Sequence, residues 1–506
     1  MKNRRIGNIC LSLLIVVALG IGIFGHSGIN WNSLIQDETS KPLFGTVNEE
    51  KKVFINDMSK AFDIILDGPK DFYLGYPIDE SFLHWVNKSF GEAAIMDIAY
   101  RLYEGYAEAE LWYEYTGNSM HVLWLAYCKE LGYSTYQLEN VQWKDCASDE
   151  VVTIDFTGDI NLADDWHTML AAAERQNGIY DCISEEVSKE LQSADISVIN
   201  NEFVFSDGGE RQENKSYTFR AKTANISFLN VFGADLANLA NNHTYDFRAS
   251  GLLDTIATLK GYGIATMGAG ANLAEAKTIQ YYVADGKKIA FVSATEIEKY
   301  YKFTKEATET EAGVLKTLDP TIYKQVIAEA KKNSDYVIAS VHWGTEGTYR
   351  YNTSQYNLAK GFVEAGADAV IGGHPHRLQG IEYINGVPIC YSLGNFWFST
   401  GTLYTTIAQV QIDAEGKLAL RLIPCIQKDL TTSMLSEEEA VDFYKFMADI
   451  SKNIVIDKDG FIYNTSNGSN SHMLNGESYQ SGKQYGSYNG NRDLEGRAID
   501  IVGNLQ

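Results

Sequence analysis

From about residue 150 the chain alternates short runs rich in β-branched and aromatic residues with longer stretches of helical periodicity, which restricts it to an α/β fold. The candidate strands are VVTIDF, ISVIN, ADLANLA, GIATMG, KIAFVSA, YVIASV, DAVIGG and PICYSL. Helical spacing falls between several of them, near 181–192 and at 249–263, 321–333 and 356–366. Beyond residue 400 come two more strands, TTIAQVQID and LALRLIP, and a helix near 436–452. The Gly-, Ser- and Asn-rich stretch that ends the chain has little to bury, so 456–506 is expected to be a flexible tail.

The ends of these strands carry the chemistry. Asp159 follows VVTIDF, Glu202 follows ISVIN, and Asn242 and His243 follow ADLANLA. His342 follows YVIASV, and His374 and His376 follow DAVIGG. In α/β sheets the binding crevice lies outside the carboxyl ends of the strands, so residues far apart in sequence converge on one rim. A single strand-end histidine is more often structural, but four of the nine histidines in the chain occupy such positions. Imidazole, carboxylate and amide oxygen without thiolate suit Mn, Fe, Zn, Mg or Co rather than a structural zinc site. Seven candidate ligands exceed the needs of one ion, and a pair of ions bridged by a carboxylate fits the number better. Asp246, three residues after His243, can orient that imidazole; Glu346 either orients His342 or sits solvated. Asn395 and Ser392 of YSLGNF lie near the last histidines, although a strand-ending turn accounts for that motif as well. Arg377 either holds an anionic group of a substrate or forms a surface ion pair.

The other segments are quieter. Residues 1–25 hold Lys2, Arg4 and Arg5 ahead of an apolar run long enough to span a bilayer, which is expected to be an uncleaved single-pass anchor with the bulk of the chain extracellular. A linker over 26–45 leads to an aromatic-rich helical domain over 46–148, whose Trp and Tyr read as helix packing before they read as a ligand groove. With 42 basic against 66 acidic residues the net charge is −24, which opposes nucleic acid and leaves any anionic polymer dependent on a local metal or basic site. The cysteines outside the anchor are scattered and read as buried free thiols, with a Cys128–Cys146 bridge as the alternative.

FTGDINL, NNE, LANNHTYDF, HWGTE, GGHPH and YSLGNF, in this order, resemble the CapA family associated with poly-γ-glutamate capsule synthesis, over about 150–430. The resemblance implies a calcineurin-like metallophosphoesterase fold, a two-sheet sandwich flanked by helices, spanning 149–455 here. It implies Asp159 and His376 on a first divalent metal, Asn242, His342 and His374 on a second, and Glu202 bridging. His243, supported by Asp246, becomes general acid or transition-state donor, with Mn, Fe, Zn or Mg as the metal. Asn161 stands where ordinary metallophosphoesterases carry a His, so the first metal is expected to be the weaker. The function implied is capsule polymer synthesis or export with a phosphoesterase-like site, alongside capsule synthase or ligase subunits. A γ-glutamyl amide hydrolase and a polymer-binding component without turnover are the alternatives. No phosphate-cradling nucleotide loop is present, so a ligase must be a partner.

Overall fold

The computed structural model describes residues 57–68, 78–106, 110–118, 120–131, 140–144, 146, 151–297, 303–466 and 478–481. The expected anchor and linker lie outside the described residues. Among those described, no helix is long and apolar enough to cross a membrane.

The chain divides into two compact units, with the boundary after Gly132. The first contains helices α1 (Met58–Leu66), α2 (Glu80–Phe90), α3 (Glu92–Tyr103), α4 (Glu110–Thr116) and α5 (Met120–Glu130). Phe82, Trp85, Trp112 and Tyr127 are buried, with Phe82 centred 5.4–5.9 Å from the other three rings. These aromatics are the core of the unit.

The second unit begins earlier than the expected boundary at 148, because β1 (Val141–Lys144) joins its sheet beside β6. The strands that follow are β2 (Val151–Ile160), β3 (Ile196–Asn201), β4 (Leu236–Asn238), β5 (Ala265–Met267), β6 (Gln280–Ala284), β7 (Lys287–Thr295), β8 (Tyr336–His342) and β9 (Ala369–Gly373). Next come β10 (Leu378–Ile384), β11 (Val387–Leu393), β12 (Asn395–Trp397), β13 (Leu403–Asp413), β14 (Leu418–Lys428) and β15 (Thr431–Met434). One sheet has the order β1-β6-β7-β8-β9-β11-β10; the other runs β15-β14-β13-β2-β3-β4-β5, with β12 added against β2. Strands β2, β3, β4 and β5 are mutually parallel, as are β7, β8, β9 and β11.

Period-two patterning separates the faces. Ile154, Phe156, Val198, Phe291, Ile338 and Ile371 fill the layer between the sheets. Their neighbours Val292, Ala339 and Val370 face α9 (Thr321–Lys332) and α10 (Thr353–Ala365) through Tyr323, Ile327 and Phe362, the label order running on from α6 (His167–Glu174), α7 (Glu185–Ser193) and α8 (Arg248–Gly261). Ile160 and Ile199 face α7 and α8 through Val187, Leu191, Leu252 and Leu259. The result is helices, sheet, sheet, helices. Capping boxes start α10, where Asn352 and Gln355 exchange hydrogen bonds, and α11 (Glu437–Ile450), where Ser436 and Glu439 do so.

The stretch expected to be a flexible tail is ordered where it meets α11. β16 (Ile454–Asp457) pairs with β17 (Ile462–Asn464) and with β18 (Ser478–Gln480), and Tyr479 stacks 5.7 Å from Tyr444. Composition hid this because β18 is only three residues long and its support comes from a distant helix. Cys146, Cys182, Cys390 and Cys425 are all free thiols, which removes the Cys128–Cys146 bridge.

Helix and sheet approach closely at Gly380 of β10, where a Cβ would stand 2.0 Å from the Ile450 carbonyl at the end of α11. Gly380→Ala is expected to destabilise the second unit by about 1–3 kcal/mol in urea unfolding, as overpacking does. An unchanged midpoint would show that α11 is free to move away.

Candidate metal centre

Two loops bring the sheets together at their carboxyl ends. Asp159 N donates to the Gly394 carbonyl at 2.8 Å, which sets β12 alongside the end of β2 with Asn395 opposite Asp159. Gly158 is required there, since a Cβ would lie 2.2 Å from the Gly394 oxygen. In the other sheet β9 ends at Gly373 and turns through His374 (φ 98°) and His376 (φ 54°). Positive φ at non-glycine residues stores strain, which tertiary structure sustains most often at functional sites.

The six expected metal ligands come together. His376 Nδ1 lies 3.1 Å from Asp159 Oδ2 and its Nε2 lies 4.0 Å from Glu202 Oε1. His342 Nε2 lies 3.5 Å from Glu202 Oε1 and is hydrogen-bonded to Asn242 Oδ1 at 2.7 Å. Glu202, His342 and His374 form one group that can hold a metal ion, and Asp159, Glu202 and His376 form another, with Glu202 in both. Asp159 Oδ2, Glu202 Oε1, His342 Nδ1, His374 Nδ1 and His376 Nε2 are buried without a hydrogen-bond partner. Buried polar atoms without partners are costly, and five of them in one place form a cluster that could hold a cation. Gly373 keeps the cradle open, because a Cβ would intrude 3.1 Å from Asp159 Oδ1 and 3.6 Å from His342 Nδ1.

The electrostatics fit the same reading. Burial, with the Asp159 carboxylate beside it, raises Glu202 well above the usual carboxylate range. Asp159 is also pushed up by burial, but the hydrogen bond and charge of His376 outweigh this and hold it low. His376 is raised against its own burial by the Asp159 carboxylate beside it. Burial lowers His342 to about 3 and depresses His374, leaving both as neutral imidazoles with lone pairs to donate.

His243 stands beside this cluster and is fixed through its other nitrogen. Its Nδ1 is 2.7 Å from Asp246 Oδ2, and burial lowers the imidazole to about 4. The neutral ring gives its Nδ1 proton to Asp246 and presents Nε2 as an acceptor, so a proton for a leaving group must first be taken up there.

The supporting residues differ from expectation. Asn395 directs Oδ1 to His376 Nδ1 at 2.7 Å and Nδ2 to Ser399 Oγ at 3.0 Å, which makes it a holder of that imidazole. Glu346 lies 3.8 Å from His374 Nε2 rather than beside His342. Arg377 is buried and donates to the His376 carbonyl at 2.7 Å, which rules out a surface ion pair. Ser392 serves the turn, its hydroxyl accepting from Gly394 N at 3.1 Å. Asn161 Oδ1 accepts from Ala163 N at 2.8 Å and so shapes the turn after β2.

Four residues escaped the sequence reading. Asn200 donates to Asp159 Oδ1 at 2.7 Å and accepts from Asn238 at 3.1 Å, and Ser293 donates to Asn238 at 2.6 Å, an amide relay behind the ligands. Lys215 is buried against Asp246. The doubled asparagines at 200–201 and 241–242 were the available signal for the relay, since paired amides at strand ends rarely serve a core. Nothing in the polar loop around Lys215 marks it.

A two-sheet α/β sandwich with a buried carboxylate–imidazole cluster at its strand ends defines an α/β protein whose buried groups could hold a metal ion. The bacterial capsule synthesis protein family PGA_cap matches residues 153–400. The PGA biosynthesis protein CapA of Bacillus subtilis is 33% identical over 282 residues, 55% of this chain and 72% of that one. The capsule biosynthesis protein CapA of Bacillus anthracis is 32% identical over 254 residues, 48% of this chain and 61% of that one. A solved 5'-nucleotidase from Candida albicans overlaps 56% of this chain and 53% of its own at a TM-score of 0.32 and 11% identity, too loosely to bear on fold or function. The chain belongs to the PGA_cap family of bacterial capsule synthesis proteins, to which the two CapA proteins correspond.

Removing the amide that holds His376 tests the cluster. Asn395→Ala is expected to weaken Mn²⁺ binding to the chelator-stripped chain by ~10–100-fold in titration calorimetry. Unchanged affinity would show that the ring needs no such support.

Proposed function

We propose that this chain is a membrane-anchored, extracellular component of poly-γ-glutamate capsule synthesis or export with a calcineurin-like, metal-dependent hydrolase site. The observation that carries the hydrolase reading is the pair of buried carboxylate–imidazole groups that meet at Glu202, with five partnerless polar atoms among their side chains. The polymer comes from the names of the two CapA relatives, and the anchor from the apolar run after Arg5. Against a net charge of −24, a cation in this cradle gives an anionic substrate its point of attraction.

A divalent ion supplies Lewis acidity here and brings the pKa of water toward neutrality. The protein's own groups do the rest. Glu202 and Asp159 fix the cation's place from two adjacent parallel strands. His243 takes up and returns a proton at Nε2, its Nδ1 committed to Asp246. The buried neighbours Phe219 and Phe398, 4.4 Å from His243 and 4.6 Å from His376 between ring centroids, keep water away from both imidazoles. The phosphoester is the substrate class of the implied fold, and a γ-glutamyl amide is the bond the polymer offers.

A second reading, polymer binding without turnover, draws support from Asn161, whose side-chain oxygen is engaged by Ala163 N and leaves the Asp159–His376 group without a further ligand. The full chain in detergent separates the two. With Mn²⁺ it is expected to hydrolyse bis(p-nitrophenyl) phosphate, and His243→Ala to lower kcat by ~10²–10⁴-fold without loss of metal. Bound metal with no hydrolysis of phosphoesters or γ-polyglutamate establishes the binding role, and a chain that retains no metal overturns both.

A further inference from the structure

We propose that Lys215 is a positioning residue that sets two parts of the site at once: the main chain of the ligand Asn242 and, through Asp246, the ring of His243. The claim about turnover rests on the hydrolase reading above; the claim about metal does not. Lys215 lies in the loop over 206–219 that joins the paired short strands Val204–Phe205 and Arg220–Ala221. Its side chain is 8% exposed and its ammonium sits 2.6 Å from Asp246 Oδ1, a carboxylate that is wholly buried. The same ammonium donates to the carbonyl oxygen of Asn242, which also accepts from Thr304 Oγ1 at 2.8 Å. Asp246 Oδ2 takes the His243 Nδ1 proton at 2.7 Å and the Phe219 amide at 2.7 Å. The Gln212 amide donates to the Asp246 carbonyl at 2.8 Å, so the loop grips this residue from both ends.

One cation therefore ties together residues 242 and 246, on either side of the proton-carrying imidazole. Without it the Asn242 carbonyl loses a donor and the Asp246 carboxylate is left with both its donors on one oxygen. Asn242 Oδ1, 2.7 Å from His342 Nε2, is then free to shift as its main chain relaxes. A lysine that merely balanced the Asp246 charge would have no reason to reach the Asn242 carbonyl as well.

Three full-length variants separate positioning from charge balance: Lys215→Met, Lys215→Arg, and Lys215→Met combined with Asp246→Asn. The double variant removes both charges of a buried pair and is expected to stay folded where Lys215→Met is destabilised. Titration of the chelator-stripped chains with Mn²⁺ is expected to show ~10-fold or greater weakening in Lys215→Met and in the double variant, as loss of a ligand's support produces. With bis(p-nitrophenyl) phosphate, kcat is expected to fall by ~10²-fold in both while KM stays nearly constant, the signature of a misplaced group. Lys215→Arg, which keeps the charge, is expected to restore part of the Mn²⁺ affinity. Wild-type Mn²⁺ affinity in the folded double variant overturns the proposal. If the wild-type chain hydrolyses nothing, the hydrolase reading fails and the Mn²⁺ titrations alone decide the role of Lys215.

Discussion

Two carboxylates, Asp159 and Glu202, stand fully buried at the ends of adjacent parallel strands, and the rest of the site is arranged around that cost. Removing a carboxylate from water is expensive unless opposite charge and hydrogen bonds replace the hydration shell. Asn200 bonds to Asp159 and His376 pairs with it, yet one oxygen of each carboxylate still lacks a hydrogen-bond partner. Of the imidazoles that face them, His342 and His374 are lowered by burial, and His376 is held by the Asn395 amide at Nδ1. A cation held by such groups would offset that cost, so any metal binding would be linked to the stability of this end of the sandwich.

The glycines explain how two sheets can meet so closely at this point. Gly158 lets the β2 backbone approach the Gly394 carbonyl, Gly394 lies where a Cβ would meet the Arg377–Leu378 backbone, and Gly372 lies where a Cβ would strike the Tyr391 carbonyl. Gly373 leaves the cradle open in front of Asp159. FTGD, SLGNF and GGHPH are thus each a ligand or its holder next to a glycine that permits close approach, which gives these short motifs a steric reason as well as a chemical one.

Support for the ligands comes from elements remote in sequence. The relay from Ser293 through Asn238 and Asn200 reaches Asp159 from β7, β4 and β3, while Asn395 reaches His376 from β12. Lys215 arrives from a loop whose composition is mostly polar. Each is positioned by backbone geometry that no local pattern encodes, so Glu346 went to His374 instead of His342 and Arg377 went inward instead of to the surface.

Period-two and helical spacing alone determined the α/β class, most of the parallel strands and the placement of chemistry at their carboxyl ends, because these follow from local side-chain alternation and from the crevice rule for parallel strands. The short strands β1, β12 and β18 were invisible for the same reason, being too brief to show a period and existing only through their partners. Which atoms face one another was left to the tertiary structure. Burial sets the protonation of His342, His374 and Glu202, and the packing of two sheets sets Asn395 behind His376 and Lys215 behind Asp246, since desolvation and long-range contact depend on the whole fold.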